Sequence, residues 1–180
     1  MKHLSMKSGI RFLLSLAVMF IFAATAFPRE IVTDYDHHAN FERYHTYSWA
    51  KVQTANSLWD ERVKQAIDNA LQKKGWQKVP EGGDVSIVAV GMTRDKPTLR
   101  TFYDGFPGWG WSGFADATTT VEHYKEGTLV VDLFDTQTKK LIWRGSASDL
   151  LSDKPEKNEK KLESAVEKMF EHFPPKPKES

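Results

Sequence analysis

The chain has 180 residues, of which 40% are hydrophobic and 12% aromatic, with a formal charge of +1 and no cysteine. The length fits one domain with a real core, and the missing cysteine excludes a disulfide framework, a thiolate metal site and a cysteine nucleophile. A near-neutral balance gives no concentrated basic face for nucleic acid, so no nucleic-acid partner is expected.

The chain opens with Lys2, Lys7 and Arg11 and has no acid before Glu30. An apolar run from Phe12 to Phe22, broken only by Ser15, leads into Ala23-Ala24-Thr25-Ala26. A basic start, a short apolar core and small residues at 24 and 26 are the three parts of a cleavable secretory signal. The run is too short for a membrane span, which needs about 20 apolar residues. The expectation is a signal peptide over 1–26, translated from Met1 or Met6, and a mature chain over 27–180 beginning at Phe27. Cleavage turns the formal charge from +1 to −2. Position 27 is Phe where a bacterial lipoprotein carries its lipidated cysteine. The expected location is periplasmic or secreted, with no stable transmembrane segment after cleavage.

Along the mature chain, Ile31–Tyr35 and Thr46–Trp49 are short β-rich runs around the polar stretch Asp36–Arg43. Ser57 with Asp60 three residues on resembles a capping box. Trp59, Val63, Ile67, Ala70 and Leu71 then recur at helical spacing, and Gly75 supplies a stop. Trp76–Val79 reads as a short strand and Glu81-Gly82-Gly83 as a turn. Asp84–Met92 is apolar on both faces, which predicts a central strand. Residues 93–101 read as loop and Thr118–Tyr124 as a further strand.

Thr128–Phe134 and Leu141–Ala147, joined by a polar connector, predict a hairpin. Leu129, Val131 and Leu133 share one of its faces and Trp143 and Gly145 extend it, so Val131 and Trp143 are expected to meet the helices with Ile67 and Val166. Asp132 and Arg144 fall on the opposite face, where an ordinary solvent-exposed cross-strand ion pair is expected. Pro155 opens a charged helix with the stripe Leu162, Val166, Met169 and Phe173, and Pro174-Pro175-Lys176-Pro177 ends it. Two amphipathic helices and mostly hairpin-linked strands predict an α+β, two-layer sandwich: an antiparallel-rich sheet with both helices on one face. The domain core spans about 30–174.

The set Thr33-Asp34-Tyr35-Asp36, Phe41-x-x-Tyr44-x-Thr46-Tyr47-x-Trp49, Lys74-Gly75-Trp76, Glu126-Gly127-Thr128-Leu129-Val130-Val131-Asp132, Trp143-Arg144-Gly145 and Phe173-Pro174-Pro175 resembles the domain-of-unknown-function family 4136 of bacterial envelope proteins. The resemblance covers roughly 30–174. It implies an α+β envelope domain, often lipid-anchored, with no established activity and no catalytic residues to carry over. This chain departs from many relatives in lacking the lipobox cysteine.

Three constellations carry potential chemistry. Asp34, Asp36 and His38, with His37 and His45 nearby, supply carboxylate and imidazole donors; on an extended segment the first three share a side. They are weak metal candidates, since the spacing matches no ligand motif and a strand end entering a solvated turn accounts for them. Gly108-Trp109-Gly110-Trp111-Ser112-Gly113 spells a dinucleotide fingerprint, but no strand leads in and no helix leads out, and two tryptophans crowd the phosphate position. No cofactor is implied. The third is Phe102–Phe114, where Phe102, Tyr103, Phe106, Trp109, Trp111 and Phe114 alternate with glycines. These rings form either a lid over the sheet edge or an exposed binding surface for an envelope protein, a glycan or a lipid. The functional expectation is a non-catalytic envelope domain binding through that loop. The competing expectation is a small hydrolase or metal-dependent enzyme using the Asp34–His45 group.

Overall fold

The computed structural model describes residues 30–92, 127–148 and 154–176. Their elements run β1 (Ile31–Tyr35), a 3-10 turn (Phe41–Arg43), β2 (Thr46–Gln53), α1 (Ser57–Lys73), β3 (Gln77–Lys78), β4 (Val85–Gly91), β5 (Leu129–Asp135), β6 (Leu141–Ala147) and α2 (Pro155–Met169). The strands form one sheet in the order β1-β6-β5-β4-β2-β3. The expected α+β fold with a mostly antiparallel sheet is present. The expected strand at Thr118–Tyr124 lies outside the described residues.

One link differs from the hairpins expected. β2 runs parallel to both β3 and β4, because α1 carries the chain across between them and returns it in the same direction. Asp84 fastens this crossover at its root. Its Oδ2 accepts from the N–H of His45 at 3.0 Å, and from the N–H and Oγ1 of Thr46 at 2.9 and 2.8 Å.

α1 starts one residue earlier than the capping-box reading placed it. Asn56 is the cap, its Oδ1 accepting the Trp59 N–H at 3.2 Å. Asp60 instead reaches back to accept the Thr54 N–H at 2.7 Å. At the other end Gly75 stands at φ +84°, a left-handed conformation that side chains resist. α2 opens on Pro155 with no side-chain cap.

Both helices pack on one face of the sheet. Val63, Ile67 and Leu71 of α1, and Leu162, Val166 and Met169 of α2, share a core with Ile87, Val131, Leu133 and Trp143. The strand phase expected for Val131 and Trp143 is therefore correct. Just past α2, Phe173 is surrounded by Phe41, Trp76, Trp143 and Phe170, with ring centroids 5.1–5.9 Å away. Such edge-on contacts add to burial itself and tie the turn before β2 to the C-terminal segment.

The opposite face corrects the expectation for Asp132 and Arg144. Both are buried, at 1% and 7% exposure, beside the equally buried Val88, Val130 and Phe134. The Arg144 Nε and Nη2 meet the two carboxylate oxygens of Asp132 at 2.6 Å each, a bidentate pair. The pair is thus desolvated among apolar neighbours rather than exposed to solvent. Its energetics are those of a buried charge pair, in which neither member tolerates losing the other.

Candidate functional site

The chain leaves β4 at Met92 and re-enters the sheet at Gly127. The Met92 N–H donates to the Thr128 carbonyl at 2.8 Å, and the Gly127 N–H donates to the Met92 carbonyl at 2.9 Å. Residues 93–126 are thus bracketed by a closed two-strand stem. All six aromatic residues singled out in the sequence, Phe102, Tyr103, Phe106, Trp109, Trp111 and Phe114, lie in that bracketed stretch and outside the described residues.

At the foot of the stem is an apolar cleft between the N-terminal halves of the two helices. Trp59 and Val63 of α1, Leu162 of α2 and Met92 and Leu129 of the sheet form its walls. Its volume of about 70 Å³ is well below the several hundred that enclose a drug-sized ligand or cofactor. It suits one side chain or the tip of an alkyl chain. The cap of α1 shapes the rim: Asn56 and Asp60 fix the backbone between Thr54 and Trp59. Arg62 lies over the Trp59 ring at 4.9 Å, and Leu58 next to it is 70% exposed. The sequence reading assigned Trp59 to the core and overlooked Leu58. The available signal was Leu58 itself, an apolar residue off the buried stripe of α1.

The Asp34–His45 group is dispersed. Asp34 turns its Oδ1 to the N–H of the next residue, Tyr35, at 2.9 Å. Asp36 accepts from the His38 N–H at 2.8 Å and lies 3.3 Å from its Nδ1. The His37 ring meets Tyr35 edge-on at 4.4 Å, and the His45 N–H is held by Asp84. Asp36 and His38 are brought together, while Asp34 serves its own strand. Among the described residues no three metal-type side chains converge.

Three further acids, the buried Asp135, the half-buried Asp68 and the exposed Asp84, also serve the frame. Asp135 accepts from the Tyr44 hydroxyl at 2.8 Å and from the N–H groups of Gln137 and Thr138 at 2.8 and 2.7 Å. Burial alone would push its carboxyl up, but these donors together outweigh burial and hold it below the usual carboxylate value. Asp84 is lowered first by the His45 N–H, against partial burial, with Thr46 adding to it. Asp68 accepts from the Tyr47 hydroxyl and Trp49 Nε1, each at 2.9 Å, and from Lys78 Nζ at 2.8 Å. Burial first, and then these acids, push the Tyr44 and Tyr47 hydroxyls up, so both stay protonated donors.

The frame is therefore an α+β domain in which Asp84, Asp132 and Asp135 serve the structure and whose sheet end brackets the aromatic stretch of the sequence. Residues 31–175 match the model of the domain of unknown function DUF4136, and the chain belongs to that family. A PDZ domain protein from Parabacteroides distasonis ATCC 8503 is similar in fold, with a TM-score of 0.55 at 18% identity over 81% of this chain. The chain spans 35% of that protein's length. Two PelC dodecamers from Paraburkholderia phytofirmans give TM-scores of 0.42 and 0.45 at 9% and 11% identity. They cover 78% of this chain and 96% and 95% of their own, and likenesses this slight carry no argument. No curated protein matches the chain.

Proposed function

We propose that this is an exported, non-catalytic envelope domain that captures a partner or ligand through the aromatic and glycine-rich loop Phe102–Phe114, with Trp109 and Trp111 as its main contacts. The observation that supports this reading is the closed stem. Hydrogen bonds between Met92 and both Gly127 and Thr128 fix the two roots of an aromatic and glycine-rich stretch on the end of a rigid sheet. Binding residues characteristically sit on segments held by such a scaffold. The glycines at 108 and 110 leave bare backbone beside the two indoles, so a flat partner surface can come close. The cleft at the foot of the stem offers a seat for one apolar group of the same partner. The partner classes are an envelope protein, a glycan or a lipid.

Two measurements test the reading. N-terminal sequencing of the native protein is expected to begin at Phe27, in the soluble periplasmic or secreted fraction; a membrane-bound chain starting at Met1 or Met6 would refute export. The double change Trp109→Ala, Trp111→Ala is expected to alter stability by no more than about 0.5 kcal/mol, as at ordinary surface sites. It is also expected to abolish capture of protein, lipid or glycan from envelope extract. A stability loss of about 3–5 kcal/mol per ring, with capture intact, would mean that the rings are a core lid.

A further inference from the structure

The edge of the sheet at β1 carries a second surface, separate from the cleft. Among the described residues β1 pairs only with β6. The Asp36 N–H donates to the Ile142 carbonyl and the Ser148 N–H to the Glu30 carbonyl, each at 3.0 Å. In an antiparallel ladder such bonded positions recur every second residue. Val32 and Asp34 therefore spend their backbone groups on β6, while Ile31, Thr33 and Tyr35 turn theirs outward. The outward N–H of Tyr35 is already taken by the Asp34 carboxylate, which leaves both groups of Ile31 and Thr33 open. Val32 is 53% exposed and Thr33 is exposed, and among the described residues no strand pairs with this edge.

The side chains of Ile31, Thr33 and Tyr35 share the helix side with their partners Ala147, Gly145 and Trp143. They form one wall of a groove whose other wall is the end of α2 and the segment after it, including Lys168, His172 and Lys176. Lys74 also borders it, with its Nζ on the Glu171 carbonyl at 2.9 Å. The groove thus holds three lysines against the single acid Glu171. The ends of two helices favour cations at Lys74 and Lys168, but Lys176 lies beyond any helix. Neither Lys168 nor Lys176 meets a carboxylate among the described residues.

We infer that β1 accepts an extended acidic segment of a partner protein as an added strand, its backbone bonded to Ile31 and Thr33 and its acidic side chains lying along Lys168 and Lys176. Main-chain bonds supply the affinity in this mode, and alternate side chains supply the specificity. Charge decides against a second copy of this chain as the occupant. A copy of β1 would lay Ile31, Thr33 and Tyr35 into the groove and bring no acid to the lysines.

The test uses the full chain and a short fluorescein-labelled peptide alternating Glu and Val, followed by fluorescence anisotropy. Saturable binding is expected, with no binding of the matching Lys–Val peptide. Thr33→Pro removes an outward donor and leaves the bonds to β6 in place, since Pro is tolerated on strand edges. It is expected to weaken binding by about tenfold or more, because the added strand loses a ladder bond. Lys168→Glu with Lys176→Glu is expected to do the same and to flatten the salt dependence, and this pair decides the matter if Thr33→Pro does not fold. Equal binding of the Lys–Val peptide, or full affinity in both variants, overturns the proposal. So does a dimer in solution that Thr33→Pro makes monomeric, because the edge then belongs to a second copy.

Discussion

The hydroxyl of Tyr44 donates to Asp135 at 2.8 Å across 91 residues of sequence, joining the turn before β2 to the turn after β5. Asp135 is 3% exposed, so this donor cannot be replaced freely by water. Tyr44→Phe keeps the ring in its place beside Phe41 and Trp76 and removes only the donor. The expected loss is about 1–3 kcal/mol, the cost of leaving a buried acceptor short of a partner, read from urea unfolding.

The same carboxylate gives the fold an acid limit. Asp135 and Asp84 are both held below their ordinary values in the folded chain. Their stabilisation is therefore fully present above the unfolded carboxylate value of about 3.9, and it is lost as pH falls through the lower folded values. Unfolding free energy is expected to hold steady near neutral pH and to decline below about pH 4. Asp135→Asn is expected to start from a lower plateau and to show a shallower decline over the same window.

Asp132 and Arg144 form the pair most sensitive to single changes. Arg144→Ala or Asp132→Ala alone is expected to cost about 3–5 kcal/mol, because each strands the other as a buried charge. Asp132→Leu combined with Arg144→Met is expected to cost far less than the sum, and a double-mutant cycle in urea measures the difference. Additive losses would contradict the burial of the pair.

Gly145 lies against the side chains of Met169 and Trp143, and a Cβ built there would collide with both. Gly145→Ala is expected to destabilise by about 1–3 kcal/mol through overpacking. Adding Met169→Ala is expected to recover part of that loss, although Met169→Ala alone is destabilising. Thermal unfolding of the three variants settles whether the collision is steric.

Much of this frame was legible because its signals are local. The stripe Val63, Ile67, Leu71 and the alternation Leu129, Val131, Leu133 each state a period and a buried side, and Gly75 marks a helix end. The crossover from β2 to β4 was not legible, since a strand run carries no mark of whether its neighbour is parallel. The burial of Asp132 and Arg144 was misread by weighing two charges over their surroundings. Val130 and Phe134 share the face of Asp132, and Val88 lies across from it on β4. Those apolar neighbours were the sign of a covered face. The cleft could not be read at all, because Trp59, Met92 and Leu162 come from three distant stretches. The histidine group looked denser in sequence than in space, since Asp34 turns to the N–H of Tyr35 while the His45 N–H is drawn to the distant Asp84 carboxylate.

The closed stem at Met92 also bears on how this fold can change. Closure entropy rises only with the logarithm of the length between the two roots, about 0.6 kcal/mol for each doubling. Insertions and deletions between 93 and 126 therefore reach the sheet as a slight entropic charge, whereas a single slip in the register of β4 or β5 inverts both faces. Frame and excursion are set to drift at different speeds, and a lineage can reshape what the excursion presents while the strands beneath stay in register.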